Sequence, residues 1–177
     1  MLAGAADNTI CYYDKRVDRN ASHAYQLAKG VCIYSPWQFL FGYDKPGTTS
    51  RIKNKAGRFV MGGEPELEFF AELPTVWDDT KVIHGRIGEY AVIARRSGEN
   101  WFIGAMNSGK ARTLAVPLLF LQPDKEYVAH IYADDMSVNT CTHVKIQRLM
   151  VNRNSVLKVS MSAKGGQAIR LVPAAGK

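Results

Sequence analysis

The chain has 177 residues, 46% of them hydrophobic, and a formal net charge of +7. That length fits one domain, or one domain plus a fragment, and the apolar share suffices for a buried core without staples. There is no run of about 18 apolar residues, so no transmembrane helix is expected, and the start MLAGAADNTICYY lacks the basic and apolar regions of a signal peptide.

Residues 2–9, LAGAADNT, read as one short strand ending in a polar loop, with Asp7 just after the strand. A helix over 21–34 follows. Asn20 is its expected N-cap, and Ala24, Leu27, Ala28 and Val31 recur at the spacing of one buried helical face. Ser35-Pro36 stops it, because a residue before proline is pushed out of the α region. Ser35 then caps a second, unusually apolar helix over 37–41, WQFLF, with Pro36 in its first turn. Residues 43–63 are polar, basic and glycine-flanked and read as a long surface loop. Pro65 opens a short helix, PELEFFAEL, whose Glu64, Glu66 and Glu68 suit a helix start.

After Pro74 the period changes to two. Strands are expected over 81–84, 89–96, 101–107, 113–117, 126–133, 144–151, 156–161 and 168–172, separated by turn signals such as Ser97-Gly98-Glu99-Asn100 and Gly165-Gly166. Tyr90, Val92 and Ala94 share one face, and Trp101, Ile103 and Ala105 oppose Phe102, Gly104 and Met106. The fold class is mainly β, an antiparallel β-sandwich over 81–177 preceded by a helical section too small to be a complete domain.

No nucleotide loop, zinc-protease signature, nucleophile elbow or CxxC pair occurs, so catalysis would need scattered residues. Glu64, Glu66 and Glu68 have the chemistry of a glycosidase acid pair or a calcium site, yet acids at a helix start have a structural reason to be there. Trp77-Asp78-Asp79-Thr80, near Glu89, describes a sugar-contacting loop or, more simply, a turn in which Asp side chains bond backbone. His23, His84, His130 and His143 have no ligand spacing, although His130 and His143 could meet across strands. Trp37, Phe39, Phe41, Trp77, Trp101 and Tyr132 offer ring faces for a sugar, or a core. Cys11, Cys32 and Cys141 are odd in number and widely spaced, the pattern of buried free thiols. The basic residues are dispersed: Lys53, Lys55 and Arg58 in the loop, Arg95 and Arg96 at a strand end, Lys145, Arg148 and Arg153 about a turn. Neither a nucleic-acid nor a membrane partner is expected.

The stretches AYQLAKGVCIYSPWQFL, GEPELEFFAELPTVWDDTKVIHGRIGEYAVIARRSGENWFIGAMN and ARTLAVPLLFL closely resemble the C-terminal portion of glycoside hydrolase family 97, which contains α-glucosidases and α-galactosidases. The resemblance runs from Leu2 to Pro173, with 48–61 differing from the usual pattern. It implies that 1–80 is the tail of a (β/α)8 catalytic barrel, carrying loop 43–63, and that 81–177 is the C-terminal sandwich. A whole barrel needs about 250 residues, so most of one is missing. The family's catalytic carboxylates and calcium-binding glutamates map to no residue here. No catalytic residue, metal ligand or cofactor is therefore expected in this chain, and calcium is expected only in the full-length parent. Asp7 matches the region of the family's aspartate after the last barrel strand, but DNT departs from the DYTPG-like form, so it carries over only as a substrate-binding candidate. The implied role is an accessory region that braces the barrel and is not catalytic alone, in a periplasmic or exported parent. The alternative is a carbohydrate-binding module. Expected partners are the rest of the parent barrel, an oligosaccharide or further copies of the chain.

Overall fold

A computed structural model of the chain describes residues 7–12, 21–40, 52–53, 59–60, 64–140 and 142–174. From the N-terminus, β1 (Asn8–Ile10) is followed by α1 (His23–Cys32) and β2 (Gln38–Leu40). β1 and β2 pair in parallel, Asn8 opposite Gln38 and Ile10 opposite Leu40. Parallel neighbours cannot share a tight turn, and α1 is the crossover between them. Its N-cap is Ser22, whose hydroxyl accepts from the Tyr25 amide at 3.1 Å. Asn20, expected in that role, lies outside the described residues.

The helix expected over 37–41 is a strand. The Ser35 hydroxyl donates to the Trp37 carbonyl at 2.6 Å and closes a turn where a cap was expected. The Trp37 carbonyl also accepts from the Asn8 amide at 3.2 Å. Aromatic residues favour a pleated strand, and the partner that makes this one possible is some thirty positions away in sequence. Within the expected loop 43–63, β3 (Ile52–Lys53) and β4 (Phe59–Val60) pair antiparallel; the rest of the loop is outside the described residues. α2 (Leu67–Glu72) starts later than the sequence pattern suggests, because residues 64–66 form a tight turn with Leu67 N to Glu64 O and Phe69 N to Glu66 O bonds.

All eight expected strands of the back part form: β5 (Asp79–Arg86), β6 (Tyr90–Ser97), β7 (Asn100–Asn107), β8 (Arg112–Pro117), β9 (Tyr127–Asp134), β10 (Val144–Val151), β11 (Val156–Met161) and β12 (Gly166–Pro173). Six of them make an antiparallel sheet in the order β10-β9-β12-β7-β6-β5, and β8 and β11 make a separate antiparallel ribbon. The sandwich is thus unequal. The ribbon covers one face of the large sheet over a core that includes Val92, Ile103, Leu157, Val159 and Ile169. Ile10, Tyr12, Leu27, Val31 and Phe69 cover the other face, against Phe102, Tyr132 and Ala168. Strand β7, covered on both faces, is buried along most of its length, and its alternation divides Trp101, Ile103 and Ala105 from Phe102 as expected.

Two glycines seat α1 on the sheet. A Cβ on Gly104 of β7 would stand 2.5 Å from the Ala28 carbonyl oxygen and 2.9 Å from Val31 Cβ, and one on Gly166 of β12 would meet the Tyr25 backbone. Helix backbone rests directly on strand backbone there, a closeness that only glycine permits. The two-residue turn between β6 and β7 also needs glycine, with Gly98 at φ +58°. Among the described residues no helix is long and apolar enough to cross a membrane.

Candidate functional site

The acidic candidates are tied into the fold. Glu66 is fully buried, and one of its oxygens accepts from the Tyr12 hydroxyl at 2.7 Å. Glu68 receives Arg148 at 2.8 Å and the Tyr132 hydroxyl at 2.8 Å, and Glu72 receives Arg170 at 2.8 Å. These contacts clamp α2 onto β9, β10 and β12. Burial, and then the bond to Glu68, push the Tyr132 phenol upward. Asp78 accepts from the Gly98 amide at 2.7 Å and from Arg96 at 3.3 Å, while Asp79 accepts from the Thr80 amide at 2.7 Å. The Asp78 and Asp79 side chains therefore both accept backbone amides, but Asp79 and Thr80 belong to β5, and only Asp78 stands in a bend before it. Glu89 pairs with Arg86 and Arg112.

His130 does not meet His143. It faces Arg148 and Arg170 in register, and Arg148 Nε donates to His130 Nδ1 at 3.1 Å. Burial first, then those two cations, hold its pKa below the ordinary histidine value. His143 precedes β10 in a left-handed conformation, with Nδ1 2.9 Å from the Val138 carbonyl oxygen. His84 Nε2 lies 2.7 Å from the Ala115 carbonyl oxygen and links β5 to the ribbon. His23, in the first turn of α1, is buried edge-on against Tyr12. Among the described residues no group of three or more His, Cys, Asp or Glu could hold a metal ion.

The Cys32 thiol donates to the Gly104 carbonyl at 3.2 Å, and burial pushes its pKa up to about 12, which makes it a packed, unreactive sulfur. Cys11 is half-buried, and Cys141 is outside the described residues. Asp7 is exposed and directly precedes β1, where the sequence pattern had it follow a strand. It stands at the N-terminal end of β1, whereas barrel active sites gather at the C-terminal ends of strands.

The aromatic candidates separate into two groups. Trp101 and Tyr132 are buried, and Trp77 packs on Phe102 with ring centroids 5.5 Å apart, so none presents an open face to a sugar. Trp37 is 62% exposed and Phe39 43%, their rings 5.3 Å apart; Tyr34 and Leu40 are exposed beside them. Asn8 and Ile10 of β1 point inward to the second core, while Thr9 and its partner Phe39 point away from it. Parallel sheets occur almost only with both faces covered. Here a parallel pair covered by α1 on one face leaves an apolar face open on the other. Sequence reading treated 37–41 as a helix and so missed this surface. The signal was a strand–helix–strand unit of about thirty residues, the usual span of such a crossover.

A separate cleft of about 980 Å³ lies between the start of α1 and the ends of β8 and β11, lined by Ser22, Arg112, Asp134, His143, Met161 and Lys164. Asp134 accepts there from the amides of Ala24 and Gly166, each at 3.2 Å, and burial raises its pKa. Arg112 is already engaged by Glu89 and Asn107.

The family model described as "Glycosyl-hydrolase 97 C-terminal, oligomerisation" matches residues 76–172. A retaining alpha-galactosidase of Bacteroides thetaiotaomicron is 34% identical over 148 residues, which are 82% of this chain and 20% of that protein. A probable retaining alpha-galactosidase of Streptomyces bingchenggensis is 52% identical over 50 residues, 28% of this chain and 8% of that protein. Among solved structures, a Glycoside Hydrolase Family 97 enzyme from Pseudoalteromonas sp. strain K8, in complex with panose, superposes with a TM-score of 0.80 at 28% identity, covering 99% of this chain and 27% of its own. The chain therefore spans about a fifth of the length of the Bacteroides relative and about a quarter of the Pseudoalteromonas enzyme. The match over residues 76–172 and the structural likeness agree: the chain belongs to the family described as "Glycosyl-hydrolase 97 C-terminal, oligomerisation".

Proposed function

We propose that the chain is the bracing and assembly region of a retaining α-glycosidase, with no catalysis of its own. The observation that carries this reading is the β1–α1–β2 unit. Two parallel strands with a helical crossover are the repeating piece of a (β/α)8 barrel. Here the piece is fixed to the sandwich by α1, and its far face, at Phe39 and Trp37, is apolar and open. The natural cover for that face is the remaining barrel of the parent. An uncovered parallel pair also favours self-association of the free chain. The parent's substrate is an α-galactoside by its likeness to the Bacteroides enzyme, with α-glucosides the second choice. Calcium and an exported location belong to the parent in this reading.

Two measurements test the proposal. The purified chain is expected to leave aryl α-galactosides and α-glucosides intact, and calcium-dependent turnover would sink it. The chain is also expected to associate in light scattering, with Trp37→Ser/Phe39→Ser lowering the associated fraction and leaving Tm unchanged. A monomeric wild type that binds no hydrophobic dye contradicts the open-face argument.

A further inference from the structure

Adjacent arginines of β6 point to opposite sides of the sheet, and only one of them is answered. Arg96 donates to Asp78 at 3.3 Å and to the Gly98 carbonyl at 2.8 Å. Arg95 points toward the helical layer and is only 6% exposed. Its Nε has no hydrogen-bond partner, and among the described residues no carboxylate pairs with it. The guanidinium lies over the Tyr34 ring at 5.4 Å and the Trp77 ring at 5.8 Å. The indole N–H of Trp77 is buried and unpartnered as well. Cys32, next to them, stays a neutral thiol and supplies no charge. Aromatic faces recover part of the cost of burying a cation, but a desolvated guanidinium without an acid is a costly arrangement. Two neighbouring side chains thus each carry a buried donor with no acceptor. Burial lowers the pKa of Arg95, Cys32 and Tyr34 act in the opposite sense, and no carboxylate is among the groups acting on it.

We infer that Arg95 and the Trp77 indole N–H form a receptor for one carboxylate, supplied by an Asp or Glu side chain of the polypeptide that completes the barrel over β1 and β2. The inference rests on the bracing role proposed above and names its anchoring contact. A guanidinium is planar and presents its N–H groups as a fork, which suits a carboxylate better than a single-oxygen acceptor. Tyr34, 44% exposed, forms one wall of the receptor and begins the run that continues through Trp37 to Leu40. The receptor is therefore continuous with the open apolar face and would be closed by the same partner. The excess of positive charge, +7 over the chain, favours an acidic one.

The test uses the chain itself, with formate as the probe. At formate about tenfold above its dissociation constant, the wild-type Tm is expected to rise by ~4 °C more than that of Arg95→Met. In formate-free buffer Arg95→Met is expected to melt no lower than wild type, because it removes an unpaired buried charge. Trp77→Phe, which keeps the ring and loses the N–H, is expected to give an intermediate formate response. Equal formate responses in wild type and Arg95→Met, or an Arg95→Met protein that melts lower or fails to fold without formate, overturns the receptor. A wild-type dimer that Arg95→Met alone dissociates in light scattering shows that a second copy supplies the acid and overturns the assignment to the barrel polypeptide. A formate response that survives while the chain shows no association through Trp37 and Phe39 counts against the bracing role and leaves the receptor standing.

Discussion

Replacing Gly104 with alanine tests how α1 is held. The new Cβ would stand 2.5 Å from the Ala28 carbonyl oxygen, 2.8 Å from Cys32 Sγ and 2.9 Å from Val31 Cβ. Ordinary contact begins near 3.4 Å, so helix and strand must part by about 0.9 Å. The obstructing carbonyl is helix backbone and cannot rotate aside as a side-chain tip could. A gap of that size forfeits a quarter to a half of the dispersion energy at each affected contact, and α1 buries Ala24, Leu27, Ala28 and Val31 completely. Overpacking of this kind costs about 2–3 kcal/mol. With an unfolding entropy of about 0.37 kcal/mol/K for 177 residues, Tm should fall by about 5–8 °C. Thermal unfolding followed by circular dichroism measures it. Gly85→Ala is the control, since a Cβ there meets nothing closer than 3.9 Å and Tm should move by less than ~2 °C. Equal effects at the two sites would mean that α1 does not rest on β7 as described.

Glu68→Gln keeps an oxygen for the Tyr132 hydroxyl and removes the charge opposite Arg148. The pair is about half exposed, so the cost should be about 0.5–1 kcal/mol, read by urea unfolding, and a loss above ~2 kcal/mol would give this clamp a larger role than its exposure allows. In the β9–β10 loop, the Ser137 hydroxyl, then its amide, then Lys145 hold the Asp135 carboxyl down at about 2. A depressed folded-state pKa means that this stabilisation is present above the ordinary carboxylate value of 3.8 and is lost as pH falls toward 2. Ser137→Ala should move the Asp135 midpoint upward in a carboxyl NMR titration; an unmoved midpoint would assign the depression to the Ser137 amide and Lys145, which the substitution keeps.

The eight strands of the sandwich were legible because each carries its own alternation and ends in its own turn residues: Trp101, Ile103 and Ala105 reach one core and Phe102 the other whichever strand lies alongside. The stop at Ser35-Pro36 was equally local. The burial of Glu66 and Arg95 was not legible, because burial and pairing of a charge depend on which distant segment faces it. The 37–41 segment shows the boundary most clearly. Its aromatic run is compatible with helix or strand, and the Asn8–Ile10 ladder decides between them.

By itself the sequence determined the β-rich character, the existence of the eight strands of the back part and, through its long matched stretches, the family, since these rest on local periodicity and residue identity. Only the tertiary structure decided that the six-stranded sheet is closed by a ribbon on one face and by α1 on the other, that β1 and β2 are parallel, and that Arg95 is buried without an acid. Each of those depends on contacts between residues far apart in the chain, where close approach of backbones and the exclusion of water set the energy.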